Sequence, residues 1–300
     1  MKMDLRALAG LVLVACAPNV TASEEGGWWP TIDGEVGVAW DSNISRALYE
    51  RDILDDSSAS ASVAAAWNFE FGAMKAATLR AFIDGEAWSE FDTLDKVGLG
   101  VQGIYRWQRR LGFTAPFYQF SLAAQQDDSA TDFRDANRYT TQAFVTRRFT
   151  DALRGSLGVE GSLQEARGRV FDAVQGRLFA NGDLQLNADW AVYGTYSLIR
   201  GDTVSSAQQQ FCNGALATDT FGLIRHAEEI EPDAALNDAL CGTWIAYSLP
   251  ATTHVFVAGI NRGFGHSMSV DLSAQQVSVD AKGNNEYHRT IVRAGILARF

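Results

Sequence analysis

The sequence predicts an all-β chain that folds as a single transmembrane antiparallel β-barrel, and three observations lead there. Hydrophobic residues make up 47% of the 300 positions, yet past the first 22 residues no apolar run reaches the roughly 20 residues a membrane-spanning helix requires. Apolar and polar residues instead alternate over segments of about 10–14 residues, the length of a tilted membrane strand. The polar sides of these segments are rich in Gln, Asn, Ser, Arg and Asp, while the apolar sides carry Ala, Gly, Leu and Val with aromatics near the ends. A soluble sandwich hides its apolar face; this pattern suits one turned toward lipid around a polar lumen. The 27 Gly, 5 Pro, 8 Trp, 8 Tyr and 17 Phe do not fit a disordered or collagen-like chain.

The elements follow in order. Residues 1–22 have a basic start (Lys2, Arg6), an apolar stretch from Ala7 to Ala17, Pro18 and the small-residue pattern Val20-Thr21-Ala22, which reads as a signal peptide cleaved after Ala22. An alternative is Leu13-Val14-Ala15-Cys16, similar to a bacterial lipobox, with Cys16 lipidated. Cleavage after Ala22 removes Lys2, Arg6 and Asp4, two basic residues and one acidic, and moves the net charge from −11 to −12. That balance argues against a nucleic-acid partner, which needs a basic footprint. Residues 23–30 make a short periplasmic segment, and 31–300 make the barrel.

Strict alternation opens the barrel at 31–40, with Ile32, Val36, Val38 and Trp40 on one face against Asp33 and Glu35. In 59–71 the outward set is Ala61, Val63, Ala65, Trp67, Phe69 and Phe71. Strands 77–90 and 97–108 follow, the latter with Val97, Leu99, Val101, Tyr105 and Trp107 opposite Gln102 and Arg106. After 117–127 and 138–150, segment 154–165 sets Leu157, Val159 and Leu163 against Ser156, Glu160 and Gln164. Segment 174–187 alternates most clearly, and 190–203, 252–263, 267–279 and 286–300 complete a count of about twelve, with 10 or 14 open because Thr243–Tyr247 is a further candidate. An even number returns both termini to the periplasm. Short turns at 72–76, 109–116, 151–153, 188–189 and 264–266 are assigned to that side; the longer connections, above all 204–251, are assigned outside. The last strand ends in Phe300, which resembles the signal by which outer-membrane proteins are recognised by the barrel assembly machinery.

Inside such a barrel Asp33, Glu35, Arg80, Asp84, Glu86, Arg106, Glu160, Arg177, Asp183, Asp271, Arg289 and Arg293 form a charge ladder. Closure places the last strand beside the first, so Arg289 and Arg293 are expected to approach Asp33 and Glu35. This ladder is either a salt-bridge scaffold or a selectivity constriction. The outer connections are acidic, which favours cationic or neutral solutes, while Arg109, Arg110, Arg147, Arg148, Arg154 and Arg262 lie toward the periplasm. Cys212 and Cys241 share the long connection and are expected to form a disulfide. No His/Cys spacing resembles a zinc site, and no cofactor is expected. His266-Ser267 is a weak hydrolase candidate, because no third partner is placed near it.

Trp40-Asp41-Ser42-Asn43-Ile44-Ser45-Arg46-Ala47 and Arg200-Gly201-Asp202-Thr203-Val204-Ser205-Ser206 resemble stretches of uncharacterised proteobacterial outer-membrane barrels, a group that includes the barrel portion of surface lipoprotein assembly modifiers. The resemblance implies a Gram-negative outer-membrane barrel in contact with outer-membrane lipids and lipopolysaccharide, and it carries over no catalytic residue. Three functions are weighed. The first is a non-enzymatic, narrow porin-like channel for small solutes; the second is an interaction barrel for surface-polymer or lipoprotein export; the third is a lipid hydrolase.

Overall fold

The computed structural model describes residues 29–240 and 242–300. The signal-peptide reading, Cys16, most of the 23–30 segment and Cys241 lie outside the described residues.

Alternating segments pair with their chain neighbours in one antiparallel sheet: β1 (Thr31–Asp41), β2 (Asp56–Glu70), β3 (Lys75–Trp88), β4 (Lys96–Gln108), β5 (Phe117–Ser129), β6 (Ala136–Arg148), β7 (Leu153–Ala166), β8 (Ala173–Gln185) and β9 (Trp190–Gln208). A folded connection holds a small hairpin, β10 (Phe211–Cys212) and β11 (Ala215–Leu216), then α1 (Thr218–Ile224), β12 (Ile230–Pro232) and α2 (Ala234–Ala239). Three strands complete the wall: β13 (Trp244–Phe264), β14 (Met268–Ala281) and β15 (Asn285–Arg299). β15 pairs with β1, so the twelve long strands close into a barrel with β12 added at one end. The closing seam is continued by the reciprocal backbone bonds between Ile32 and Phe300.

Following the registers strand to strand returns to β1 displaced by about 16 residues, which for twelve strands sets a tilt of about 45° and a backbone radius of about 12 Å. The stagger is even, so the alternation keeps its phase around the whole ring. Val38, Leu99, Val101, Leu122, Leu157, Val159, Leu178, Phe256, Leu272 and Ile296 all face outward and are exposed. Tyr105, Trp107 and Tyr118 stack on one another near the end that carries both chain termini, and outward Trp40, Tyr139 and Tyr196 mark the other end. An apolar belt between aromatic rims is the surface a bilayer requires. No helix among the described residues is long and apolar enough to cross a membrane.

The two longest connections, 42–55 and 209–243, lie at the loop end, as the strand spacing predicts; the others do not separate by length, because the 109–116 turn at the terminal end exceeds 89–95, 130–135 and 167–172, and the expected long connection 280–285 shrinks to 282–284. Strands β9 and β13 depart from the sequence reading. They run on to Gln208 and back to Trp244, so the connection shrinks from 204–251 to 209–243, and Thr243–Tyr247 lies mainly in the start of β13 rather than in an added strand. Residues Trp244–Leu249 are buried on both faces. Where neither face meets water, polar alternation gives no signal.

Candidate functional site

The register turns all twelve ladder residues to the interior. Ion pairs form between neighbouring strands: Lys96–Glu86 at 3.1 Å, Arg138–Asp127 at 3.2 Å, Arg177–Glu160 at 3.5 Å and Arg154–Asp183 at 3.4 Å. Arg106 Nε donates to Gln119 Oε1, and Asp84 and Asp271 accept from Gln125 and from the Tyr193 hydroxyl. The expected seam pairing is corrected by the register. Antiparallel closure sets Arg299 opposite Asp33 and Arg293 opposite Ala39. Arg299 therefore takes Asp33 at 2.7 Å, and Arg289 forks onto the buried carboxylate of Asp41. Arg80 and Arg293 have no ion-pair partner within 4.0 Å among the described residues, and the Nε of Arg293 is buried without a hydrogen bond.

Aromatic rings also point inward, which an alternation of polar residues does not anticipate, and four of them share one arrangement. Each is directly opposite a glycine on the adjoining strand: Phe82 opposite Gly100, Phe144 and Phe179 both opposite Gly158, and Tyr193 opposite Gly259. A Cβ on Gly158 would come 2.5 Å from Phe144 Cβ and from Phe179 Cζ, so the rings occupy the space the glycine leaves. Rings lying over glycine cover exposed backbone and stay against the wall. Arg80 and Arg177 lie over Phe82 and Phe179, at 5.1 and 5.0 Å from the ring centroids. The usable signal in the sequence was an inward-phase glycine one rung from an inward-phase aromatic.

The loop end is crossed by the β9–β13 hairpin. The last rung of β9 on β8 is Gly201 with Gln175, and the last rung of β13 on β14 is Ala251 with Ala281; Gly201 and Ala251 pair with each other. Both strands thus leave the wall at one level. Beyond it seven residues of each strand remain, ~24 Å of extended chain, which matches a barrel diameter of about 24 Å. The tip accordingly reaches the β3–β4 side, half the ring away, where Trp244 packs with Phe91, Trp88 and Leu236, and Thr93 Oγ1 donates to the Ala235 carbonyl. On one face Tyr247 and Leu249 pack against Val277, Val279, Tyr287 and Leu223; on the other Ala246 meets Val170 and Phe171. One edge is paired by β12, and the other by the β1–β2 loop, where the Ser45 carbonyl accepts Ser206 N at 2.8 Å. Asp233, fully buried, locks this partition by accepting two bonds from Arg134 at 3.0 and 3.1 Å and one from Ser206 Oγ at 2.6 Å.

Many acidic side chains of the loop end are turn locks. The carboxylates of Asp95, Asp135 and Asp172, each directly after a 3-10 turn, accept Trp88 N, Ser129 N and Ala166 N, while Asp56 accepts Glu90 N and Phe91 N. Asp52 differs: both its oxygens are buried without a hydrogen bond, with Arg51 Nε 3.7 Å away, and burial pushes its carboxyl above the usual carboxylate range. Arg46, at φ 55°, points its Nη1 toward the Val204 carbonyl at 3.5 Å and feels the charges of Arg289 and Arg134. Water reaches its side chain, yet protein surrounds it, and that enclosure, reinforced by Arg289, lowers its pKa from the arginine value. Sequence reasoning missed Arg46 because it lies in a loop and outside any alternating strand.

Cys212 is exposed and forms no disulfide among the described residues, while its expected partner Cys241 lies outside them. His266 and Ser267 fall in the β13–β14 turn at the terminal end and make no side-chain hydrogen bond among the described residues. The stretches 40–47 and 200–206 meet each other at the Ser45–Ser206 contact, on the β9 edge of the partition.

No protein-family model matches the chain, and no curated protein sequence does. Among solved structures, the COG4313 outer membrane channel from Pseudomonas putida F1 is similar with a TM-score of 0.55 at 11% identity, over 95% of this chain and 100% of that one. The NanC porin (TM-score 0.43, 11% identity, 89% of this chain and 100% of that one) and the transport unit of the autotransporter AIDA-I from Escherichia coli (0.45, 8%, 95% and 94%) resemble it more loosely. The chain has the fold of an outer-membrane β-barrel.

Proposed function

We propose that the protein is a bacterial outer-membrane channel for small hydrophilic solutes, with its partitioned mouth at the cell surface and its terminal end in the periplasm. The observation that carries this reading is the interior: a wall of about 12 Å backbone radius is lined by charged, amide and hydroxyl groups, and Phe82, Phe144, Phe179 and Tyr193 lie over glycines of the wall. The outward apolar belt supports the membrane location, and the fold shared with an outer membrane channel agrees with it. The test is planar-bilayer recording of the refolded barrel beside a variant in which 209–243 is replaced by a short Gly-Ser link. Stepwise conductance in the wild type, larger in the shortened variant, is expected. Silence in both overturns the channel and favours the second reading, an interaction barrel. That reading draws on the folded partition, which offers 209–243 as a docking surface.

A further inference from the structure

Where β9 and β13 leave the wall, a notch of about 500 Å³ remains on the outer side of the barrel. Arg200, Thr252 and Asp280 line it from one rung across β9, β13 and β14, in the same outward phase as the exposed Tyr196 and Phe256. Lys282 and Asn284, from the β14–β15 turn, complete the lining. None of these five side chains makes a hydrogen bond or ion pair among the described residues. Asp202, the next acid of β9, is taken up by the Val174 amide at 2.9 Å, and Thr252 separates Arg200 from Asp280, which stand two strands or about 10 Å apart. One cavity therefore collects two uncommitted cations against one carboxylate. Its size falls within the roughly 300–1,000 Å³ of small-ligand sites.

Depth sets what can reach it. Arg200 follows Tyr196, a residue of the loop-end aromatic rim, by four positions on a strand tilted about 45°, a rise of about 9 Å toward the cell surface. Aromatic rims sit at the membrane interface, so the notch opens into the headgroup layer, and the wall beneath it runs through Tyr196 and Phe256 into the apolar belt. A ligand held here by its headgroup lays its acyl chains along that wall; a free anion gains nothing from it. Guanidinium and ammonium groups are the usual partners of phosphate oxygens.

We propose that this notch binds the phosphate group of an outer-leaflet glycolipid, with Arg200 and Lys282 on the phosphate oxygens and Thr252 and Asn284 offered to the sugar hydroxyls. The site goes beyond the channel reading and needs only that the loop end lies at the cell surface.

The test compares refolded wild type, the Arg200→Gln/Lys282→Gln double variant and Asp280→Asn in detergent micelles. Each is titrated with bisphosphorylated lipid A, with the same lipid stripped of both phosphates, and with inorganic phosphate. Binding is read by native mass spectrometry and by the temperature at which heat-modifiable gel migration is lost. Arg200, Asp280 and Lys282 are exposed, and the compact gel band confirms that each variant is folded. Lipid A is expected to bind the wild type and raise its transition temperature, and to bind about tenfold or more weakly when either the phosphates or the two cations are removed, one lost charge-assisted contact being enough for that. Asp280→Asn is expected to tighten binding, because a carboxylate in the same notch repels the phosphate. Equal binding of the two lipids, or of wild type and double variant, overturns the site. Inorganic phosphate bound as tightly as lipid A makes the occupant a free anion and overturns the lipid. Binding that is lost in EDTA and weakened in Asp280→Asn places a divalent cation between Asp280 and the phosphate and overturns the direct contact. Conductance enters none of these readouts, so a barrel that is silent yet distinguishes the two lipids ends the channel reading and leaves the site standing.

Discussion

Replacing Gly201 by alanine is expected to detach the partition while leaving the barrel folded. Gly201 has φ 144°, a conformation nearly confined to glycine, and it forms the last rung of β9 on β8. An added Cβ would overlap the Val174 carbonyl oxygen and lie 2.8 Å from Gln175 Cα, both backbone atoms that cannot turn aside. Strained backbone of this kind costs about 2 kcal/mol and losing the rung about 1 more. The sum, about 3 kcal/mol, multiplies the population of the detached state by roughly 150. The strain falls where both strands leave the wall, so it acts on the partition ahead of the strands below. Limited proteolysis within 209–243 should therefore accelerate by one to two orders of magnitude, with heat-modifiable gel migration retained. Gly103→Ala, at a glycine with open space around its Cβ position, is the control and should behave as wild type. Equal cleavage rates in the Gly201 and Gly103 variants would refute the assignment of Gly201 as the hinge.

Other perturbations reach different parts of the same construction. Asp233→Ala strands Arg134 and Ser206 Oγ beneath the partition and should destabilise it by about 3–5 kcal/mol, measured by hydrogen exchange of Ser205–Gln208; unchanged protection would remove Asp233 from the lock. Asp52, whose carboxyl titrates above its unfolded value, contributes stability to the loop end that is full below the ordinary aspartate pKa and is lost as pH rises through its raised value. Asp52→Asn should abolish that part of the pH dependence and slow loop-end proteolysis at neutral pH, whereas identical pH profiles would show that Asp52 is not strained. Gly158→Ala pushes Phe144 and Phe179 off the wall, which should cost about 1–3 kcal/mol in unfolding and reduce conductance. A variant with unaltered unfolding and current would mean that the rings do not lie over that glycine.

Legibility in the sequence followed the number of faces each segment exposes to one solvent. Strands such as 154–165 and 174–187 were readable because Leu157, Val159 and Leu178 meet an apolar medium while Glu160, Arg177 and Asn181 face the interior. The charge ladder was readable for the same reason. Its partners were not, because pairing depends on register: a shift along β15 decides whether Asp33 meets Arg293 or Arg299. The inward Phe82, Phe144, Phe179 and Tyr193 escaped notice because their glycine partners sit on neighbouring strands, 14 to 66 residues away.

Taken alone, the sequence determined the fold class, the approximate strand positions, the even closure and the end at which the two longest connections lie. These follow from local alternation with a period of two, which any stretch of chain carries within itself. Only the tertiary structure decided that β9 and β13 leave the wall together at Gly201 and Ala251, that their hairpin spans the mouth, and that Arg46 meets the Val204 carbonyl on its edge. Those features arise where segments far apart in the chain bury both faces against one another, and there the alternation that reports a single solvent boundary no longer exists.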